Sequence, residues 1–374
     1  MLARSEPARH DNRTLLDRAQ RFAGLMFDAA AETDEHAFIG DHLWTAFRQS
    51  GLAMSPFPRD LGGDDLCGPE CSGELCTVLR LLGSADLSIA RLFEGHVNAV
   101  SLVTRYGERD QLRALAARIA AGGLSAVWGA NDARGLHVAG QDGGTLRGRK
   151  ILSSGAGFVT DPLVTATAPE GQVLCLLRLT MDEPIDLSGW QAQGMRSTAT
   201  GAIDFSGTVV TSENMIGEPG DFMRQPFFSG GAWRFCAAHC GATERLVDLF
   251  KTHLLTTKRG EDPYQLQRLA QAMAAAKTAR YFVEDAARRL ASDEMPGEQV
   301  VGFANLTRMV TERCALDVME TVQRGVGLAS FVRPHPIERV SRDLATYLRQ
   351  PVPDLAMSDA ARAFLGSSHS VGDF

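Results

Sequence analysis

The chain has 374 residues, of which 44% are hydrophobic and 22% charged, and its formal net charge is −7 at pH 7. This composition is typical of a globular protein with a sizeable core, and it excludes a disordered or fibrous chain. The acidic balance, with no block of like charge, argues against nucleic acid as a partner.

The N-terminal residues MLARSEPARHDNRT mix charged and polar side chains, unlike a secretory signal, and no apolar stretch is long enough to span a bilayer. The seven cysteines are few for this length, and their number is odd. This pattern indicates reduced thiols rather than a disulfide framework. We therefore expect a cytoplasmic protein with no membrane partner.

The first part of the chain has the hydrophobic period of helices. The segments LLDRAQRFAGLMFDAA, LWTAFRQSGL and QLRALAARIAAG place apolar residues three and four apart. The glycines at 122 and 123 end the last of these runs. Residues 1–122 are therefore predicted to form an N-terminal helical domain.

A strand-like pattern follows. The segments TLRGRKILS, PLVTATA, QVLCLLRLT and AIDFSGTVV are short and are separated by Gly, Pro, Asp and Ser. In the last segment Ile203 and Phe205 alternate with Asp204 and Ser206, which predicts one buried and one exposed face. Residues 123–225 are predicted to form a middle β domain.

The helical period then returns and continues almost to the end of the chain. In GFANLTRMVTERCALDVMETV, the residues Phe303, Leu306, Val310, Cys314 and Val318 lie three or four apart. The segment EMPGEQ separates this helix from the preceding one. Residues 226–374 are predicted to form a C-terminal helix bundle, which makes the whole chain α+β.

Five short motifs carry a resemblance to a known family. They are SGLAMSPFPRDLGG, LSAVWGANDA, LRGRKILSSGA, QGMRSTATGAIDFSGTVVTSENMIGEPG and RPHPIERVSRDLA, in this order. Together with the order of helices, sheet and helices, they make the chain similar to the acyl-CoA dehydrogenase superfamily. The resemblance implies that fold, with a flavin between the β domain and the helix bundle.

The same resemblance implies which residues contact the flavin. The strand and loop that flank the ring correspond to the segment containing Trp128, Ala130 and Asn131, and the hairpin at its reactive edge corresponds to Leu152, Ser153 and Ser154. The family binds the distal half of FAD with residues that correspond here to Arg259 and Gly325. The expected cofactor is FAD, with FMN as the alternative because those distal motifs are incomplete.

A catalytic carboxylate is missing at the two places where the family has one. Counting from Arg342 and Asp343, the first place falls on Gln350 or Pro351, and neither can accept a proton. The second place, before Arg234 on the first helix of the bundle, is occupied by Trp233. A branch of the superfamily that uses reduced flavin and oxygen needs no such base, and its C-terminal motif partly resembles ATYLRQPVPD.

The substrate pocket is expected between helices. Its predicted lining is His96, Trp233, Tyr347, Arg349 and Gln350, of which Arg349 is a candidate partner for an anion. The CAAHC segment places Cys236, His239 and Cys240 on one helical face, but thiols in an apolar helix are mostly core residues. No metal is therefore predicted.

The sequence predicts a flavin-dependent oxidoreductase that lacks the usual glutamate and acts on an unknown small molecule, with an acyl thioester as one candidate. Two alternatives stay open. The first is an acyl-CoA dehydrogenase with another base, and the second is a non-catalytic flavin-binding or assembly module. Because the family completes its flavin site with a neighbouring subunit, a homodimer or homotetramer is expected.

Overall fold

A computed structural model describes residues 14–140, 143–179, 184–291, 295–349, 352–372 and 374. The first helices are α1 (Leu15–His36), α2 (Asp41–Gln49), α3 (Ser72–Ala85), α4 (Leu87–Tyr106) and α5 (Arg109–Ala120). Side-chain caps fix where two of them begin: Thr14 accepts a hydrogen bond from the amide of Asp17, and Asp86 from that of Ile89. These caps start α1 and α4.

One mixed sheet follows these helices. Its strands are β1 (Ser125–Trp128), β2 (Asn131–Ala139), β3 (Gly143–Ser153), β4 (Asp161–Ala168), β5 (Gly171–Leu176), β6 (Ile185–Asp186), β7 (Gly201–Asp204), β8 (Val209–Thr211) and β9 (Met215–Ile216). They lie in the order β6-β7-β3-β2-β4-β5-β9, with β1 parallel to β4 and β8 antiparallel to β3. The predicted alternation holds, because Ile203 and Phe205 are buried while Asp204 and Ser206 are exposed.

The C-terminal region is helical. Its helices are α6 (Phe227–Gly230), α7 (Trp233–Thr256), α8 (Pro263–Ala291), α9 (Gly297–Val326), α10 (Pro336–Tyr347) and α11 (Pro353–Gly366). The predicted break between the two longest helices is confirmed, since α8 ends at Ala291 and α9 begins at Gly297. The α+β class is confirmed as well.

Helix α10 joins the parts of the fold. The guanidinium of Arg342 donates to both carboxylate oxygens of Asp34 on α1, at 2.9 and 2.7 Å. Asp343 accepts a 2.7 Å hydrogen bond from the amide of Met195, which precedes β7. A Cβ on Gly194 would lie 2.2 Å from the carbonyl oxygen of Arg342, so only glycine permits this close approach. The Arg-Asp motif therefore has a structural role at this junction.

Within the described part of the chain, no helix is both long enough and apolar enough to cross a bilayer.

Candidate functional site

The site begins where α4 packs on the sheet. A Cβ on Gly155, in the turn after β3, would lie 2.7 Å from a methyl carbon of Leu92 on α4. Gly155 also has a positive φ of 77°, so both its conformation and its closeness to α4 favour glycine. On the next turn, Gly95 lies close to Ala126 of β1. The ends of β1 and β3 are thereby fixed beside α4.

The end of β3 presents unused hydrogen-bonding groups. Leu152 has a left-handed φ of 52°, and its side chain is 63% exposed. Among the described residues, no hydrogen bond uses the amide or hydroxyl of half-buried Ser154, and the buried hydroxyl of Ser153 has no partner. The indole of Trp128 donates a 3.0 Å hydrogen bond to the carbonyl of Ser154 and so holds this turn. These groups suit the edge of a planar ligand.

A fully buried lysine supports the neighbouring loop. Lys150 on β3 is 0% exposed, and its ammonium donates to Asn131 Oδ1 at 2.6 Å and to Thr165 Oγ1 at 2.8 Å, with the carbonyl of Gly129 at 3.3 Å. Burial lowers the pKa of Lys150 to about 8. Because the oxygen of the Asn131 amide is occupied, its Nδ2 is left to donate outward. Ala130 is held too, since its carbonyl accepts from the amide of Ile151 at 3.1 Å.

The two segments assigned to the ring by resemblance therefore meet. The exposed loop 129–131 and the turn 152–154 are connected by Lys150 and by Trp128. They offer amide and hydroxyl donors beside the exposed apolar side chain of Leu152. A flavin ring needs this combination, with donors at its heteroatom edge and an apolar surface against its face. The residues present therefore fit a flavin, although the individual contacts stay predictions.

A polar cluster lies among α4, α7 and α10, and we call it the α4 cluster: Arg91, Glu94, Asn98, Arg234 and Tyr347. Glu94 is only 2% exposed, pairs with Arg91 and accepts from the amide of Asn98. Asn98 in turn accepts a 3.0 Å hydrogen bond from Arg234. Arg91 also hydrogen-bonds the phenol of Tyr347, and burial raises the pKa of that phenol well above its usual value. The cluster is thus a continuous buried network.

The predicted pocket residues fall on different sides of this network. Tyr347 on α10 is buried within it, and Trp233 on α7 is buried next to its member Arg234. His96 points the other way: its Nε2 lies 2.7 Å from the carbonyl of Ala53, and its Nδ1 accepts from the amide of Ser125 at 3.2 Å. Burial lowers the pKa of His96 to about 4, which keeps it neutral. These contacts make His96 a link between α4 and β1.

Arg349 is 59% exposed, and its guanidinium lies 2.9 Å from Glu312 on α9. Gln350 lies outside the described residues. A small cavity nearby is lined by Phe235, His239, Arg308, Met309, Glu312, Leu348, Pro353 and Ala356. The ring of His239 meets that of Tyr347 edge-on at 4.5 Å, and burial lowers its pKa to about 3.

The residues proposed for the distal half of FAD lie at one end of the bundle. Arg259 is 3.5 Å from Asp262. Gly325 is buried, its carbonyl accepts from Gln265 at 3.1 Å, and a Cβ there would lie 2.4 Å from the ring of Phe250. Both residues therefore already have partners within this chain.

The cysteines show no sign of reactivity or metal binding. All seven are free, and burial raises the pKa of Cys67, Cys76, Cys175 and Cys236 to about 12. Across the described ranges, no group of three or more His, Cys, Asp and Glu side chains is placed to hold a metal ion.

Sequence reasoning predicted Tyr347 as a pocket residue but missed Lys150 and the other members of the α4 cluster. A signal existed for the cluster: in LSIARLFEGHVNAVSLV, the polar residues Arg91, Glu94 and Asn98 are spaced by three and four and so share one face of a mostly apolar helix. Polar groups on a buried face require partners, and those partners come from α7 and α10. The burial of Lys150 had no comparable signal, because lysine at the end of a strand is usually exposed.

Comparisons with known proteins find one family along most of the chain. The family model for the acyl-CoA dehydrogenase N-terminal domain matches residues 9–123, and that for the acyl-CoA dehydrogenase C-terminal domain matches residues 234–349. The amino sugar nitrososynthase DnmZ of Streptomyces peucetius is 26% identical, over 91% of this chain and 89% of its own. A dibenzothiophene monooxygenase of Mycolicibacterium goodii is 25% identical, over 82% of each.

Among solved structures, the dibenzothiophene monooxygenase TdsC of Paenibacillus sp. A11-2, determined with FMN and indole, has a TM-score of 0.81. It is 19% identical, and the match covers 94% of this chain and 97% of that one. The likeness shows the same fold. Because the two family models together match more than half of the residues, the chain belongs to the acyl-CoA dehydrogenase superfamily.

Proposed function

We propose that the chain is a flavin-dependent monooxygenase that oxidises a small molecule in a pocket bounded by the α4 cluster. The observation that carries this proposal is the pair of segments at the ends of β1 and β3, loop 129–131 and turn 152–154, with their unused donors. Its relatives support the chemistry, since a nitrososynthase and a dibenzothiophene monooxygenase match over most of the chain. When bound, reduced flavin supplies two electrons to O2, so that one oxygen atom enters the substrate and the other leaves as water.

The residues of the chain would position the cofactor and exclude water. The amide and hydroxyl of Ser154 would donate to the reactive edge of the ring, and Asn131 Nδ2 would donate to a ring carbonyl. Lys150 places a buried positive charge directly behind Asn131, which favours negative charge on the ring. The packed faces of α4, α7 and α10 would shield the reacting atoms from solvent.

Proton abstraction from an acyl-CoA fits this site poorly. Glu94 is the buried carboxylate of the α4 cluster, but it pairs with Arg91 and accepts from Asn98. Both contacts occupy the oxygens that would have to receive a proton. An acyl-CoA dehydrogenase is therefore the less supported function.

FMN is better supported than FAD. The distal half of FAD would need contacts from Arg259 and Gly325, but Arg259 lies beside Asp262, and Gly325 packs against Phe250. The segments proposed to bind the flavin ring, loop 129–131 and turn 152–154, still have donors that no partner within the chain uses. The expected order of affinity is therefore FMN above FAD.

The proposal includes self-association. Near the end of α9, an apolar pocket is lined by Leu316, Met319, Glu320, Gln323, Arg324, Gly327, Leu328 and Phe331. Leu328 and Phe331 are largely exposed, which favours an interface with a second copy. Sedimentation velocity should show a homodimer or homotetramer, whereas a flavin-loaded monomer would count against this part of the proposal.

The first experiment is a titration of the purified protein with FMN and FAD, followed by visible absorbance. The reduced complex is then mixed with oxygenated buffer and candidate substrates, including indole and an aromatic sulfide, and the products are analysed for an added oxygen atom. Oxygenated product is expected. Bleaching of the oxidised flavin by butyryl-CoA without oxygen would refute the monooxygenase assignment and support a dehydrogenase.

A variant pair tests the turn after β3. Replacing Ser154→Ala removes a hydroxyl donor and should weaken flavin binding by about tenfold. The exposed Ser212 is a matched control, and Ser212→Ala should leave the affinity unchanged. Equal affinities of both variants and the unchanged protein would show that the flavin does not contact this hydroxyl.

A further inference from the structure

The α4 cluster contains a cation without a carboxylate of its own. Within the described residues, no carboxylate lies within ion-pair distance of Arg234, and its single hydrogen bond goes to the neutral amide of Asn98 at 3.0 Å. Its Nε is buried and has no hydrogen-bond partner. The nearby Cys67 cannot neutralise it, because burial raises the pKa of that thiol to about 12 and keeps it protonated. A guanidinium whose Nε is buried without a hydrogen-bond partner is stabilised when an anion binds it.

The charges of the cluster add to a positive excess. Glu94 is already paired with Arg91 and hydrogen-bonded by Asn98. Asn98 connects this pair to Arg234, and Arg105, which stacks 3.8 Å over the ring of Phe227, adds a further cation on the same side. Two arginines thus share one carboxylate within the network. The unshared positive charge lies at the start of α7, next to Trp233.

The position of Arg234 connects it to the ring-binding segments. Helix α4 carries Asn98 and Glu94 on the side that meets α7, while Leu92 of the same helix packs on the turn that follows Ser154. One helix therefore separates the unpaired guanidinium from the flavin edge. A substrate that contacts both the ring and Arg234 would have to extend around α4.

From this charge arrangement we infer that Arg234 is an anion-binding residue of the substrate pocket, and that the substrate carries an oxyanion such as a carboxylate, sulfinate or sulfonate. A guanidinium suits such groups because its N–H donors match two oxygens at once. The inference rests on the proposed function, since it identifies the substrate class of the same site. The phosphate of the flavin is the other source of an oxyanion.

The test compares benzoate with its uncharged isostere benzamide. Dissociation constants are measured by calorimetry, in flavin-free and FMN-loaded protein, so that anion binding is detected even if no oxygenation occurs. Benzoate is expected to bind at least about tenfold more tightly than benzamide. Equal binding of the two, or no binding of either up to its solubility limit, would overturn the inference.

Variants assign the preference to one residue. Arg234→Gln should abolish the discrimination between benzoate and benzamide, and Arg234→Lys should retain part of it. Arg288→Gln, on the exposed side of α8, is the matched control and should change nothing. Circular dichroism and thermal melting establish that each variant is folded. Retained discrimination in a folded Arg234→Gln variant would contradict the assignment.

A separate comparison distinguishes the two sources of the oxyanion. The affinities of riboflavin and FMN are measured for the unchanged protein and for Arg234→Gln. If Arg234 binds the substrate, the variant should lose benzoate binding while the ratio of FMN to riboflavin affinity stays the same. A lower ratio of FMN to riboflavin affinity in the variant would mean that Arg234 binds the flavin phosphate, and the substrate assignment would be wrong.

Discussion

Replacing Lys150→Met tests the most specific feature of the site, a buried amine with neutral partners. The ammonium of Lys150 is 0% exposed and donates to Asn131, Thr165 and the carbonyl of Gly129. Desolvation lowers its pKa from 10.5 to about 8. The folded protein therefore disfavours the charged amine by about 3 kcal/mol relative to the unfolded chain.

The direction of the pH effect follows from proton linkage. Between about pH 8 and pH 10.5 the unfolded chain binds a proton at Lys150 that the folded protein does not. The contribution of Lys150 to the free energy of unfolding therefore rises with pH in this interval and is level below it. Between about pH 7 and about pH 9.5 the gain is about 2 kcal/mol. Methionine cannot titrate, so the variant lacks this gain.

Urea unfolding of both proteins at the two pH values measures the effect. Buried thiols such as Cys76 ionise more readily in the unfolded chain and lower stability at high pH, so the informative quantity is the difference between the two proteins. That difference should grow by about 2 kcal/mol in favour of the unchanged protein. The exposed Lys277→Met is the control and should show no such growth. A constant difference for Lys150→Met would refute the argument.

Three further substitutions test the framework of the site. Gly155→Ala should lower the free energy of unfolding by about 1–3 kcal/mol in a urea titration, because the new Cβ is strained by the positive φ and also collides with Leu92. Gly220 has a similar positive φ but open space around it, so Gly220→Ala should show only the cost of the backbone strain. Arg342→Met should cost about 3 kcal/mol in the same assay, because Asp34 and Glu338 lose their short ion pairs and keep only the longer ones, with Arg196 at 4.0 Å and Arg333 at 3.9 Å. Burial raises the pKa of Asp343 to about 7, so its contribution to stability falls as pH rises from about 4 to about 7, and Asp343→Asn should remove that fall.

The order of helices, sheet and helices was predictable because it depends on local periodicity. The segment AIDFSGTVV shows this well: its alternation is a property of neighbouring residues, and the structure places Ile203 and Phe205 inside. The direction in which a buried helix presents its polar residues depends on other elements. In α4 the spacing of Arg91, Glu94 and Asn98 indicates a shared polar face but not its partners. The structure shows that Arg91 meets Tyr347 and Asn98 meets Arg234, while His96 meets Ala53 and Ser125.

The pairing of charges explains why the Arg342-Asp343 motif has a structural role while the candidate functional site has a different one. Arg342 lies against Asp34, and its charge is neutralised within the fold. Lys150 is buried and Arg234 is partly buried beside neutral acceptors, and among the described residues neither has a carboxylate within ion-pair distance. Evenly paired charges hold elements together, whereas unpaired buried cations stabilise negative charge brought by a ligand. Under the proposed function, these two cations would suit an anionic substrate beside an electron-rich ring.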